Sequence, residues 1–372
     1  MNSLRQKIIG QITQNGPIPF DRFMEMALYE PGMGYYASES TEIGKKGDFY
    51  TSQHVHSMFG MMIGRQFEEM WNMIGKPDVF YIIEPGAGAA YLCRDVLDYL
   101  NGKNIIDHFI YIIQEKNVHM KKRQQTLLNV YSDKIRWVSS LEEIGTVKGC
   151  VFSNELLDAF PVKIIEHLDT LREVYVTYER EEFIERSDIL STEKISEYFH
   201  EFAIELPRKY RTEVNLRIRD WLLEVNNILS EGFILTIDYG YPARDYYSEE
   251  RNRGTLLCYH KHQYNEDPYQ FIGEQDITAH VNFSSVSKWG EESGFRTIGF
   301  CQQGVYLVSL GIDEMMKTLP QDSKDYLFEI AKIKKLILPG TLGETHKVMI
   351  QYKGNAKPEL RGFSIKNRKD KL

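Results

Sequence analysis

The chain has 372 residues, 42% hydrophobic, 12% aromatic and 26% charged, the profile of a globular protein with one large domain carrying insertions, or two domains. Its formal charge of −8 argues against broad binding to nucleic acid or an anionic membrane, either of which needs concentrated positive charge. Four widely spaced cysteines without a C-x-x-C pair argue against a disulfide framework and a cysteine-based zinc site, and fit a reducing compartment.

Residues 2–30 place apolar residues at helical spacing on both sides of NGPIP, which predicts two short helices around a proline-fixed turn. No apolar run is long enough for a secretory leader or a membrane span, so a cytoplasmic, bacterial protein is expected. YEPGMGYYASES and GKKGDFYTS are turn-rich, and SMFGMMIGRQFEEMWNMIG then has a helical period with Ser57 placed to cap it.

From Phe80, short apolar runs alternate with helical patterns: FYIIE, AAYLCRDVLDYL, HFIYIIQE, VHMKKRQQTLLNVY, IRWVSS, GCVFSNE. This alternation predicts right-handed βαβ units and a doubly wound α/β domain with a parallel sheet. After Pro161, VKIIEHLDTLREVYVTYEREEFIERSD predicts antiparallel strands, and residues 192–229 read as helical. GFILTIDYG predicts that the sheet resumes after an insertion. Residues 241–285 give no regular pattern, GFRTIGFCQQGVYLVSLG and HKVMIQYKG predict closing strands, and KNRKDKL predicts a frayed, solvated end.

The stretch VFYIIEPGAGAAYLC joins a strand ending in Glu84 to Pro85-Gly86-Ala87-Gly88 and a helix start near Ala89. Backbone amides and a helix N-terminus then lie at the carboxyl edge of a parallel sheet, where such sheets bind ligands. Two cofactor classes compete. A dinucleotide site wants a third glycine, where Leu92 and Cys93 stand, and an acid about 20 residues on; Glu115 lies 27 residues beyond the second glycine. S-adenosylmethionine suits an acid at the end of each of two strands, and Glu84 and Glu115 occupy those places, the second able to accept from both ribose hydroxyls. A plain strand-to-helix turn is the third reading.

SNELLDAFP at residues 153–161 adds to GPIPFDRFMEMALYEPGMGYY, GKKGDFYTS, MFGMMIG, EPGAG, TIDYG, GTLLCYHKH, GEQDITAHVNFSSV and PGTLGETHKVMIQ. Together, in order from about residue 16 to 350, they resemble the MidA-like family of S-adenosylmethionine-dependent methyltransferases, whose mitochondrial members are protein arginine methyltransferases assisting assembly of respiratory complex I. The resemblance implies a class I methyltransferase (Rossmann-like) sheet with N-terminal helices and a mixed α+β inserted domain. The expected division is an N-terminal helical region with a cofactor-covering loop (1–78), the methyltransferase core (79–165 and 230–352, with a loop insertion at 241–285), an inserted substrate-side domain (166–229) and a basic tail (353–372). The sequence departs from the family pattern at Ala90, where a glycine usually closes the turn, and at TSQHVHSMFG.

The resemblance implies S-adenosylmethionine as cofactor and a protein as substrate. Gly47, Asp48, Phe49, Thr51 and Ser52 are expected over the cofactor, with Glu84, Gly86, Ala87, Gly88, Glu115 and Asn154 around it; for the first set a plain turn is the alternative. Asn154 and Glu155 are the expected acceptor-side residues with Asp158 in support, and helix capping is the other reading of Asn154 and Asp158. Asp238, Tyr239, Gln275, Asp276 and His280 are expected to line the substrate cleft. Asp276 read as an N-cap and His280 as a structural histidine are the alternatives. The pairs His54, His56 and His260, His262 lack partners for a metal, so no metal is expected. A non-catalytic assembly factor on the same fold, or a nicotinamide enzyme, are the rival functions; oligomeric state is not legible.

Overall fold

The computed structural model describes residues 3–38 and 55–372. The chain divides into two compact units: Met1–Phe49, Leu157–Trp221 and Tyr241–Val286 form one, and Tyr50–Leu156, Leu222–Gly240 and Ser287–Leu372 form the other.

The larger unit is built on seven strands: β1 (Phe80–Pro85), β2 (Phe109–Gln114), β3 (Ile135–Val138), β4 (Val147–Asn154), β5 (Leu229–Tyr241), β6 (Arg296–Gln302) and β7 (His346–Lys353). Their order is β3-β2-β1-β4-β5-β7-β6, with β7 antiparallel to both β5 and β6 and the others parallel. These strands are buried along both faces, as at Ile82, Ile83, Ile112, Ile113 and Phe233–Leu235, which is why they read as continuous apolar runs rather than alternating ones. Helices Met58–Met73 and Tyr91–Gly102 pack closely because the first presents glycines. A methyl at Gly60 would stand 2.5 Å from the Asp95 Cβ, and one at Gly64 2.8 Å from the Tyr99 ring.

Three local expectations fail here. The helix at Met58 is capped by His56, whose Nδ1 accepts from the Met58 amide at 2.9 Å, while Ser57 is itself helical and makes no side-chain cap. Residues Gln303–Leu310 are a helix, not a strand; its buried apolar side chains hide the helical period. The end of the chain is docked rather than frayed: the Arg368 amide donates to the Phe300 carbonyl, the Asn367 side chain bonds Ile298 and Phe300, and Leu360 and Phe363 enter the core.

The smaller unit holds helices Ser3–Asn15 and Phe20–Tyr29 against a sheet in the order Ile18–Pro19, Leu171–Glu179, Lys163–His167, Tyr210–Val214, with Glu182–Asp188 antiparallel to Leu171–Glu179. Residues 241–285 were expected as a loop insertion of the core; instead Cys258, Ile272 and Ile277 join Leu4, Phe20 and Phe23 in this unit's core. They include a three-stranded sheet, Gln263–Asn265, Leu257–His260 and Asp276–Thr278. The strand Tyr210–Val214 interrupts the expected helical stretch. Its buried Glu213 accepts from the Thr255 amide and hydroxyl at 3.0 Å, tying the strand to the next segment of the unit.

Candidate active site

At the carboxyl edge of the larger sheet, β1 delivers Glu84 and then turns. Gly86 and Gly88 adopt left-handed φ of 69° and 53°, which glycine takes without strain, and a side chain at Gly86 would also stand 3.1 Å from Leu156 Cδ1. Ala90 closes the turn at φ 61°, fully buried, immediately before the helix Tyr91–Gly102. The Gly86 amide donates to the Gln114 carbonyl at 3.2 Å and the Ala90 amide to the Ala87 carbonyl at 2.8 Å, which fixes the turn immediately before the helix N-terminus.

Glu84 is buried and accepts the Tyr111 phenol at 2.6 Å; burial pushes its carboxyl up to about 7, against the pull of that hydrogen bond. Glu115 directly follows β2. Its Oε1 accepts from the Asn117 amide at 2.8 Å and its Oε2 from Gln124 Nε2 at 3.1 Å, while burial raises its carboxyl. Gln124 was absent from the sequence reading. This fully buried side chain also donates to the Gly88 carbonyl at 2.8 Å and accepts from the Trp137 indole at 3.0 Å, so one amide joins the glycine turn, Glu115 and β3. A buried glutamine on the inward face of a helix was the signal, and it is visible only once its neighbours are known.

Beside this cradle, β4 ends at Asn154, whose buried Oδ1 accepts no hydrogen bond from any described residue. Glu155 follows at φ 51°, a left-handed backbone that costs about 1–2 kcal/mol outside glycine. Its amide donates to the Ile237 carbonyl at 2.9 Å and its Oε1 lies 3.4 Å from His346 Nε2 on β7. Asp238 and Tyr239 are buried at the end of β5, Asp238 Oδ1 accepting from the Tyr239 amide at 2.9 Å.

Asp158, Gln275, Asp276 and His280 belong to the smaller unit. Asp276 lies in a strand and is not an N-cap; its Oδ1 accepts the Tyr36 phenol at 2.8 Å. Tyr36 stacks on Tyr29 at 5.5 Å, and burial, with the Asp276 carboxylate next, pushes both phenols up. The Asp158 carbonyl accepts from the Ala279 amide, which places two buried aspartates in one unit. Both N–H groups of Gln275 are spent on the carbonyls of Asp267 and Gln270, so that side chain holds its own loop. His280 donates its amide to Thr255 and sets its ring 5.5 Å from Tyr241. Gly47, Asp48, Phe49, Thr51 and Ser52 lie outside the described residues. Among the described residues no group of three or more His, Cys, Asp or Glu is placed to hold a metal ion, and no helix is long and apolar enough to cross a membrane.

Residues 62–301 match the family described as "Putative S-adenosyl-L-methionine-dependent methyltransferase". The chain belongs to this family. A Burkholderia thailandensis structure bound to S-adenosyl-homocysteine superimposes with a TM-score of 0.91 at 27% identity, covering 100% of this chain and 96% of that one. Among curated relatives, the protein arginine methyltransferase NDUFAF7 homologue of Caenorhabditis elegans is 26% identical over 87% of this chain and 80% of its own length. Human NDUFAF7 is 25% identical over 85% and 75%. The protein is therefore an S-adenosylmethionine-dependent methyltransferase with the class I α/β fold, as the MidA-like resemblance implied. The cytoplasmic expectation is overturned, because these curated relatives are named mitochondrial; it had rested on the lack of an apolar leader, which bears on secretion alone.

The residues present fit the cofactor. Gly86 holds a left-handed φ with a Cβ position only 3.1 Å from Leu156 Cδ1, Glu115 is braced by two donors, and Asn154 offers a buried acceptor that no described residue uses.

Proposed function

We propose that this methyltransferase modifies an arginine side chain of a protein. The observation that carries the acceptor is the naming of its curated relatives, from nematode to human, as protein arginine methyltransferases across three quarters or more of their length. The placement of carboxylates agrees. Arginine is protonated at neutral pH, so its site must orient a planar cation and take a proton as the nitrogen attacks.

Bound S-adenosylmethionine supplies an electrophilic methyl on a sulfonium. Gly86, Ala87 and Gly88 would hold its amino-acid end with Glu84, and Glu115, held by Gln124, its ribose. Asn154 Oδ1 and the Glu155 carboxylate would orient the acceptor nitrogen, and Glu155 would receive its proton as the methyl's bond to nitrogen forms and its bond to sulfur breaks, leaving S-adenosylhomocysteine as the neutral product.

The test is transfer of labelled methyl from S-adenosylmethionine into a cell extract lacking this protein, followed by acid hydrolysis and amino-acid analysis. Label in methylarginine is expected. Label in methyl-lysine or in base-labile carboxyl esters would overturn the acceptor, and no transfer by an enzyme that binds the cofactor would favour a non-catalytic assembly role.

A further inference from the structure

His56 lies two residues before the helix Met58–Met73, and its side chain is only 9% exposed. Its Nδ1 accepts from the Met58 amide at 2.9 Å. A backbone N–H can only donate, so Nδ1 holds a lone pair and the ring hydrogen sits on Nε2. That hydrogen-bearing nitrogen faces Glu329 Oε2 at 3.0 Å, while the Lys332 ammonium reaches Glu329 Oε1 at 2.8 Å. Both nitrogens of the neutral ring are thus engaged, one capping its own helix and the other meeting the helix Tyr326–Ile337. Ile333 and Leu336 of that second helix share a core with Val55, Met58 and Phe59, so the polar contact accompanies a packed apolar one.

A second proton on this ring has to land on Nδ1. There it turns the acceptor into a donor facing the Met58 N–H, and it sets a positive charge at a helix N-terminus, where the helix dipole opposes it. The charged neighbours among the described residues are Glu329, which favours the cation, and Lys332, which shares that carboxylate and opposes it. Burial is the largest influence, and it holds the ring below its ordinary value of 6.5. At neutral pH the ring is neutral and the cap intact. An uncapped or unfolded chain takes up the proton that the capped ring refuses, so the cap's contribution is complete above 6.5 and is lost as pH falls through the lowered value.

The capped turn bears on the helix Tyr91–Gly102. Gly60, in the first turn after the cap, packs so closely on Asp95 of that helix that a methyl there would stand 2.5 Å from the Asp95 Cβ, and the same helix opens at Ala90, the end of the glycine turn. We propose that His56 is an acid-sensitive cap: with one ring hydrogen it locks the start of Met58–Met73 to Glu329, and with two it releases that turn and loosens the seat of the helix that follows Gly86 to Gly88. The coupling to the cofactor rests on the assignment of the glycine turn given above, whereas the state of the ring does not.

The experiment is nitrogen-15 spectroscopy of the His56 ring in the full-length protein, titrated from pH 7.5 to 5, with amide exchange of Met58 read in parallel. At pH 7.5 Nδ1 is expected to show the shift of a lone-pair nitrogen and Nε2 that of a protonated one. On acidification the ring should titrate below 6.5 and Met58 protection should fall about tenfold. His56→Asn, which caps without titrating, is expected to hold Met58 protection steady over the same range. Asp95, whose carboxyl is pushed up to about 6 by burial, titrates in this window with the opposite sign, and its presence in both proteins cancels it from the comparison. A hydrogen on Nδ1 at pH 7.5, a midpoint at or above 6.5, or the same loss of protection in His56→Asn would overturn the proposal. Should His56→Asn fail to fold, the wild-type ring decides: titration below 6.5 in step with Met58 protection supports the cap, and steady protection through that titration rejects it. In calorimetry, affinity for S-adenosylhomocysteine is expected to weaken on acidification about threefold more in the wild type than in His56→Asn. An equal change in both would overturn the coupling to the turn, and a wild type that does not bind at pH 7.5 would refute the turn assignment on which that coupling rests.

Discussion

Tyr111 donates to Glu84 Oε2 at 2.6 Å, and both side chains are sealed from solvent. The Glu84 carboxyl is pushed up by burial from 4.5 to about 7. Between those values the folded state holds a proton that the unfolded chain releases. Stability from this group is complete below 4.5 and is lost as pH rises through about 7, a swing of about 3 kcal/mol at about 1.4 kcal/mol per pKa unit. Glu84→Gln should flatten the decline in unfolding free energy between pH 5 and 8, measured by urea denaturation. Identical slopes in the two proteins would reject this account of Glu84.

Gln124→Leu strands three groups at once: the Gly88 carbonyl, the Trp137 indole and an oxygen of Glu115. Each buried polar group left without its partner costs about 1–3 kcal/mol, with partial relief from water where Trp137 is only half-buried. The variant is expected to lose about 3 kcal/mol in denaturant unfolding and at least tenfold in affinity for S-adenosylhomocysteine. A loss below about 1 kcal/mol would mean that the network does not hold the turn.

Ala90 sets two effects against each other. Glycine there relieves a left-handed alanine, by about 1 kcal/mol, and gives up a buried methyl, also about 1 kcal/mol. Ala90→Gly should therefore change stability by less than about 1 kcal/mol and leave cofactor affinity within a few fold. A tenfold tighter product complex in calorimetry would show instead that the methyl narrows the site.

In the smaller unit, Tyr36→Phe removes a donor from the buried Asp276 carboxylate. The expected cost is about 1–2 kcal/mol. A double-mutant cycle with Asp276→Asn should return a coupling of similar size, and additive losses would show that the two side chains act separately.

What was legible in the sequence follows from how each signal is encoded. β1, β2 and β4 are runs of buried aliphatic and aromatic residues separated by helices, and the turn at Gly86 and Gly88 uses left-handed backbone that glycine advertises. The strand Tyr210–Val214 was invisible because it is five residues long and flanked by helical patterns. Its identity comes from pairing with Lys163–His167. Residues 241–285 were misplaced for a similar reason, since Cys258 and Ile277 become core only against Leu4 and Phe23. Gln124 and His56 are single polar residues within mixed stretches. Their meaning lies in what stands opposite, at Gly88 and at Glu329, and no local pattern carries that.

The central claim is that the turn at Gly86 to Gly88 holds the methyl donor, and calorimetric titration with S-adenosylhomocysteine tests it most directly. Wild-type protein is expected to bind, and Gly86→Val, which forces a branched side chain into a left-handed position 3.1 Å from Leu156, to fold but lose binding. A folded wild type that does not bind, or a folded Gly86→Val of undiminished affinity, would contradict it.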